Sequence, residues 1–512
     1  MFLKHSQPLT FLIAFALFLG ACAPSPLASA STATAVPEGR TTPAPSEPAI
    51  TSTPLPTRPA YDPGQLVEYS AQTGDTLIAL AARFNTTIAE IRAANPIIPE
   101  TATTLPPGLP LQIPIYYRAY WGPYYPIIPD SQFINGPAAV DFDTQAFVDS
   151  QPGWLRSYRQ YASGRQRTGA ELVDLVATNY SVSPRLLLAL LEYQAGALSQ
   201  PVMDEAVRDY PLGYTSRFDS GVYLQLVWAA NYLNNNYYLW RNGKLIEFDL
   251  SDDSIYRPDP WLNAATVSLQ RFFNQTKDVS GFNRATGPEG LAFTFTRLFG
   301  DPWVNDVGHI PGSLLQPELR LPFPPGQLWS HTGGPHTGWG EGEPWAALDF
   351  APGAETQGCI STEAWATAMA DGLVVRTDVG VVVLDLDGDG DERTGWTLFY
   401  LHLAKEGKAR VGQQILAGQP LGHPSCEGGS STGTHVHVAR KYNGEWVSAA
   451  GAVPFVMEGW TPVESNIAYV GTLVRQGHHV RACTCSDAAS SIFSQAAVVP
   501  LPTPVIGPTP EE

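Results

Sequence analysis

The chain has little charge. Asp, Glu, Lys and Arg make up 15% of its 512 residues, against roughly 25% in an ordinary soluble protein. Positive charge is the scarcer kind: 30 Lys and Arg stand against 48 Asp and Glu, for a formal net charge of −18. Without a basic stripe nothing neutralises phosphates, which excludes nucleic acid as a partner. The apolar run at residues 9–19 is too short for a membrane span. No His-Glu-x-x-His segment occurs, so a glutamate base of that kind is absent. Histidine is scarce, with ten residues, and cysteine scarcer, with five.

The hydrophobic content of 44% is ordinary, and the length exceeds what one compact core holds, so several domains are expected. The 46 prolines and 46 glycines mark linkers and turns. The 13 Trp and 21 Tyr suit saccharide or peptide contacts as well as aromatic cores. Residues 1–22 read as a signal peptide, with Lys4 and His5 before the apolar run. Leu19-Gly20-Ala21-Cys22 resembles a bacterial lipobox. That implies a lipidated Cys22 and an exported chain, anchored to the outer face of the cytoplasmic membrane or to the cell surface. Residues 23–65, rich in Pro, Thr and Ser, form an expected disordered linker, and residues 486–512 an expected disordered tail. Four cysteines remain: Cys359, Cys426, Cys483 and Cys485. An even count in an exported chain favours disulfides, in any of three pairings. The Cys483-x-Cys485 spacing does not suit a zinc knuckle.

Residues 66–115 read as strand, helix, helix, strand. Apolar Leu77, Leu80, Ala81 and Phe84 fall at helical spacing after the turn Thr73-Gly74-Asp75-Thr76. With Gly74-Asp75-Thr76-Leu77 and Asn95-Pro96, this unit resembles a LysM module, which implies binding of N-acetylglucosamine polymers. Once one module is bound, the other is expected to sample the polymer at an effective concentration set by the linkers. Residues 130–310 read as mainly α-helical, with helices expected over 168–179, 185–194, 221–235 and 261–273. Ser183-Pro184 supplies a helix start. The segment 186–196 resembles the helix end carrying the catalytic glutamate of lysozyme-like lytic transglycosylases. Here Gln194 stands at the acid's place and Glu192 two residues early. Glutamine cannot protonate a glycosidic oxygen, so this domain is expected to be an inactive relative or a spacer.

Residues 318–482 read as β-rich. His435 and His437, two apart on a strand-like run, share a face. His402 comes from a separate run, and His336 and Asp349 add another imidazole and a carboxylate. Such N and O donors, with an open position for water, suit a catalytic zinc. The runs Trp396-Thr397-Leu398-Phe399-Tyr400-Leu401-His402-Leu403, Gly418-Gln419-Pro420-Leu421-Gly422 and Ser431-Thr432-Gly433-Thr434-His435-Val436-His437 resemble the lysostaphin-like (LytM-type) zinc metallopeptidases. The resemblance implies zinc ligation by His437 and flanking catalytic roles for His402 and His435. It also implies an upstream His and Asp. These fall best on His336 and Asp349, about nine residues further apart than the family's His-x-x-x-Asp, with His331 the rival for the histidine. A second metal candidate is the run Asp385, Asp387, Asp389, Asp391, which has a calcium-loop pattern but Trp396 at the twelfth place. The alternative there is a solvated acidic hairpin tip.

The expected architecture is therefore multidomain α+β: a small β-α-α-β module, a helical middle domain and an antiparallel β-rich peptidase domain. The implied function is a surface-anchored, peptidoglycan-binding zinc endopeptidase that cuts peptide cross-links. The alternative is a non-catalytic wall-binding or regulatory lipoprotein with a degenerate peptidase fold.

Overall fold

The structure is a computed structural model that describes residues 55, 57–304, 306, 308–353, 358–485 and 487–495. The expected signal peptide with Cys22, most of the 23–65 linker and the end of the tail lie outside the described residues. Among the described residues, no helix is long and apolar enough to cross a membrane.

The first unit pairs β1 (Gln65–Ser70) with β2 (Pro110–Ile115) antiparallel and packs α1 (Leu77–Arg83) and α2 (Ile88–Ala94) on them. Thr76 caps α1 by accepting from the Ala79 N–H, and Thr87 with Glu90 forms a capping box on α2. Leu80, Phe84, Ile91 and Ile113 form its centre. The linker expectation fails at its end. Arg58 donates to the buried Asp259 carboxylate at 2.5 Å and lies 3.6 Å over the Trp261 ring, and Tyr61 packs against Trp121 and Trp261.

The middle domain is built on α3 (Gly169–Tyr180), α4 (Pro184–Ala195), α5 (Val222–Arg241) and α6 (Ala264–Thr276). Thr168 and Glu171 box the start of α3, and Pro184 opens α4. Residues 186–191 of α4 are fully buried, so it is the domain's central helix. Glu192 at its end is committed to structure. One oxygen accepts from the Leu198 and Ser199 N–H groups at 2.8 and 3.1 Å, and the other pairs with Arg297 at 2.8 Å. The Gln194 amide donates to the Leu212 carbonyl. Neither group is free to protonate a leaving oxygen.

The third unit is a nine-stranded antiparallel sheet. Its strands are β3 (Leu328–His336), β4 (Ala347–Pro352), β5 (Gly372–Asp378), β6 (Gly380–Asp385), β7 (Trp396–Leu403), β8 (Gln414–Ile415), β9 (Val436–Tyr442), β10 (Glu445–Trp446) and β11 (Ser491–Phe493). They run in the order β8-β5-β6-β7-β9-β4-β3-β11, with β10 on β9. The tail expectation fails here as well: β11 pairs with β3 and buries Ile492 in the sheet's core, so order extends past residue 485. Period-two alternation divides the sheet. Val382, Leu384, Leu398, Tyr400 and Val438 face a core of the sheet's own. Val381, Val383, Phe399 and Ala439 share a core with the middle domain. The middle domain is therefore no spacer; it covers one face of the sheet.

The expectation of separately moving modules also needs correction. Residues 308–314 run across the first unit, where Thr103 and Thr104 donate to the Leu314 and Pro311 carbonyls at 2.7 Å each. Arg241 of α5 reaches all parts. It pairs with Asp130 at 3.3 Å and Glu445 at 3.0 Å, and it donates to the Thr73 carbonyl. His309 joins Glu445 at 2.6 Å. Burial raises the Glu445 carboxyl, but Arg241 and His309 outweigh it and hold the group at about 2.

Candidate metal centre

Three strands deliver the donors. On β4 and β9, Asp349 and His437 are direct cross-strand partners, and Gly333 of β3 lies beside Asp349. A Cβ on Gly333 would collide with the Asp349 carboxylate, so glycine opens the space that the carboxylate fills. The register of β3 shifts on both sides of Gly333. Those irregularities bring His336 round to the site. His331, the rival, pairs opposite Phe350 and stacks on that ring at 5.5 Å. It is fully buried without a well-formed hydrogen bond, near backbone groups of Val480 and Gly333, and burial pushes it down to about 4.

The three donor atoms converge. His336 Nε2 lies 3.0 Å from His437 Nδ1, and both lie 3.3 Å from Asp349 Oδ1. The other nitrogen of each ring has a carbonyl partner: His336 Nδ1 faces the Gly334 oxygen at 2.8 Å, and His437 Nε2 faces the Gly338 oxygen at 3.2 Å. A carbonyl accepts only, so each of those nitrogens carries the proton. That leaves two imidazole lone pairs and a carboxylate aimed at one point. Asp349 Oδ1 is buried with no hydrogen-bond donor. Burial alone would raise the Asp349 carboxyl, but the imidazoles of His336 and His435 hold it well below the usual range. Tetrahedral zinc with ligands at about 2.0–2.2 Å sets its donors roughly 3.3 Å apart, which this triangle matches. The residues fit zinc.

His402 and His435 stand beside this triangle with ring centres 4.5 Å apart. His402, one residue before the end of β7, has φ at +64°, a left-handed conformation that costs a non-glycine residue about 1–3 kcal/mol. Its Nδ1 lies 2.9 Å from the Glu427 carbonyl, so Nε2 is bare. Burial, reinforced by His435 and His437, pushes the ring down to about 4. His435 Nδ1 faces the Gly433 carbonyl at 2.8 Å, leaving Nε2 3.7 Å from Asp349 Oδ1. Sequence reasoning missed Tyr469, whose ring stacks on His336 at 4.1 Å. No spacing signal marks it, because it arrives on the loop between Thr461–Glu464 and Gly471–Arg475.

The acidic run is different. Asp385 accepts from the Asp387 and Gly390 N–H groups, Asp387 from Asp389, and Asp389 from the Asp391 N–H and the Thr394 hydroxyl. Asp391 is held by Arg393 at 2.6 Å. Burial and the adjacent Asp387 push Asp385 up to about 6. The cysteines pair as Cys359–Cys426 and Cys483–Cys485.

Comparison with known proteins fits this geometry. Residues 69–114 match the LysM domain, and residues 126–312 match the family described as LasA, N-terminal domain. Protease LasA of Pseudomonas aeruginosa is 27% identical over 348 residues, covering 63% of this chain and 75% of the relative. Beta-lytic metalloendopeptidase of Lysobacter enzymogenes is 32% identical over 136 residues, 25% of this chain and 71% of the relative. The chain belongs to the beta-lytic metalloendopeptidase family. It is a zinc metalloendopeptidase that carries a LysM domain. Among solved structures, the M23 metalloprotease pseudoalterin aligns at 25% identity with a TM-score of 0.28, covering 33% of this chain and 96% of that one. The degenerate, non-catalytic alternative is set aside.

Proposed function

We propose that this peptidase hydrolyses peptide cross-links of bacterial peptidoglycan, with His336, Asp349 and His437 as zinc ligands and His402 and His435 as catalytic residues. The observation that carries the reading is the triangle of lone-pair donors around a buried carboxylate oxygen that no hydrogen bond satisfies. Zinc supplies an electropositive centre that activates water near neutral pH and polarises a carbonyl. The chain's own residues move the protons. His402 is neutral at physiological pH, because burial depresses it, and its bare Nε2 can accept a proton from the attacking water. The Nε2 of His435 is a second bare imidazole position beside the triangle, and whichever ring accepts the water's proton then carries the proton that the leaving amine needs.

The choice of polymer rests on the LysM match, which favours a glycan carrier, and on the LasA and beta-lytic relatives. The lipobox-like Leu19-Gly20-Ala21-Cys22 supports export and a lipid anchor at Cys22, giving a surface protein held to the membrane. Calcium at Asp385, Asp387, Asp389 and Asp391 is the weaker reading, since the turn's own donors already engage those carboxylates. The test is hydrolysis of purified sacculi by the full-length protein. New amino termini should be released, and release should stop in a His437→Ala variant. Amino-group release that persists in that variant would refute the proposal.

A further inference from the structure

His402 keeps its left-handed backbone close to the end of β7. Such a conformation persists only where the surroundings over-determine it. The segment 425–427 does this at both the main chain and the ring. The Ser425 N–H and hydroxyl donate to the His402 carbonyl at 2.6 and 3.0 Å. The Glu427 carbonyl accepts from His402 Nδ1 at 2.9 Å. The Ser425 hydroxyl also accepts from the Glu427 N–H at 3.1 Å, which closes the segment on itself. The same segment touches the second ring's residue, because the Ser425 carbonyl accepts from the His435 N–H at 3.3 Å.

A second segment, 358–360, holds the approach to His435. The Thr434 N–H donates to the Gly358 carbonyl at 3.1 Å. The Thr434 hydroxyl donates to the Ile360 carbonyl at 2.5 Å and accepts from the Ile360 N–H at 2.9 Å. Neither 358–360 nor 425–427 belongs to a helix or to a strand of the sheet, so no backbone ladder holds them. What joins them is the Cys359–Cys426 disulfide, between residues 67 apart in sequence. Each cysteine is the middle residue of its segment. A cross-link that closes so long a loop removes the conformational freedom that the two segments would otherwise keep.

We propose that Cys359 and Cys426 are positioning residues for the catalytic pair: their disulfide clamps the segment that leads into His435 to the segment that fixes the backbone and the Nδ1 proton of His402. The clamp keeps Nε2 of both rings bare. The triangle stands outside it, since the carbonyls behind His336 and His437 belong to Gly334 and Gly338. Loss of the disulfide therefore costs turnover and not metal. The inference rests on the reading of His402 and His435 as catalytic residues.

The test uses the full-length, zinc-loaded protein in a Cys483→Ala/Cys485→Ala background, which removes the other disulfide and should keep the parent's turnover. A water-soluble phosphine reduces Cys359–Cys426 to two thiols and leaves as the phosphine oxide, its oxygen taken from water. Once the phosphine is removed, zinc content should be unchanged. Turnover on sacculi should be lower by roughly 10- to 100-fold, as misplacing a reacting group by about 1 Å costs. Reoxidation should restore it, and Cys359→Ala/Cys426→Ala should behave as the reduced protein does. The ¹⁵N resonances of the His402 ring, recognised by their absence from His402→Gln, separate positioning from general loosening. Nδ1 should carry the proton in the oxidised protein, and the two nitrogens should average in the reduced one. Unchanged turnover with the Nδ1 proton still fixed, or release of zinc on reduction, would overturn the proposal. Full turnover in His402→Ala and His435→Ala would instead overturn the catalytic roles on which it rests.

Discussion

Among the described residues, metal-ligating side chains gather at the His336/Asp349/His437 triangle and at the Asp385–Asp391 hairpin tip. They differ in what the donors do when no metal is counted. In the triangle, the spare ring nitrogens are tied to carbonyls, and three acceptors face each other, one of them a buried carboxylate oxygen that no hydrogen-bond donor reaches. At the hairpin, backbone N–H groups, a hydroxyl and an arginine occupy the carboxylates. A third arrangement sharpens the contrast. Asp130 and Glu445 are buried as deeply as Asp349, but Arg241 pairs with both from within the chain, and His309 adds a hydrogen bond to Glu445. Spacing nominates both places; of the two, the triangle is the one with a buried oxygen that no hydrogen-bond donor reaches.

The largest effect should separate the two candidates directly. His437→Ala should abolish zinc binding in a metal titration, a greater loss than the roughly 10–100-fold that removing an outer-shell partner costs. Asp387→Ala should leave zinc affinity within about twofold, because the hairpin has no part in the site. Equal losses would erase the distinction. Next, His402→Ala and His435→Ala should keep zinc but lower turnover by roughly 10²–10⁴-fold, the usual contribution of a general acid or base. Variants that lose zinc instead would make one of these rings a ligand.

The Arg241 cluster provides the third test. Arg241→Met leaves Glu445 and Asp130 buried without their guanidinium and should cost about 3–5 kcal/mol by denaturant unfolding. The pH dependence carries a sign. Glu445 drops from 4.5 to about 2 on folding, so its share of stability is complete above about pH 4.5 and is lost as pH falls toward 2. Asp130, raised by burial, offsets part of this. In Arg241→Met the acid-unfolding midpoint should therefore move to higher pH; an unmoved midpoint would mean that Arg241 does not hold Glu445 down. The smallest expected effect is that of calcium. Excess Ca²⁺ or EGTA should move the melting temperature by no more than about 1 °C if the hairpin is satisfied by its own donors, whereas a ligand at 100 times its Kd would add roughly 2.7 kcal/mol.

Much of this was legible in the residues, wherever the signal was local. Thr87 with Glu90 and Thr168 with Glu171 announce helix starts that the structure contains. The strand-like runs that carry His402 and His437 are β7 and β9. His435 and His437 share a face because side chains on an extended run alternate with period two. What stayed hidden depends on distant partners. The choice between His331 and His336 turns on register shifts in β3, which reset the alternation that sequence reasoning relies on. Strand β11 has only three residues and exists because β3 offers it an edge. Tyr469 reaches the centre across the fold, with no spacing to mark it.

The central claim is that the satisfied and unsatisfied acceptor sets tell the metal site apart. An anomalous difference map at the zinc absorption edge, from crystals of the full-length protein, tests it most directly. One peak should lie about 2.0–2.2 Å from His336 Nε2, Asp349 Oδ1 and His437 Nδ1. A peak at the Asp385–Asp391 tip or beside His331, with none between His336 and His437, would contradict the account.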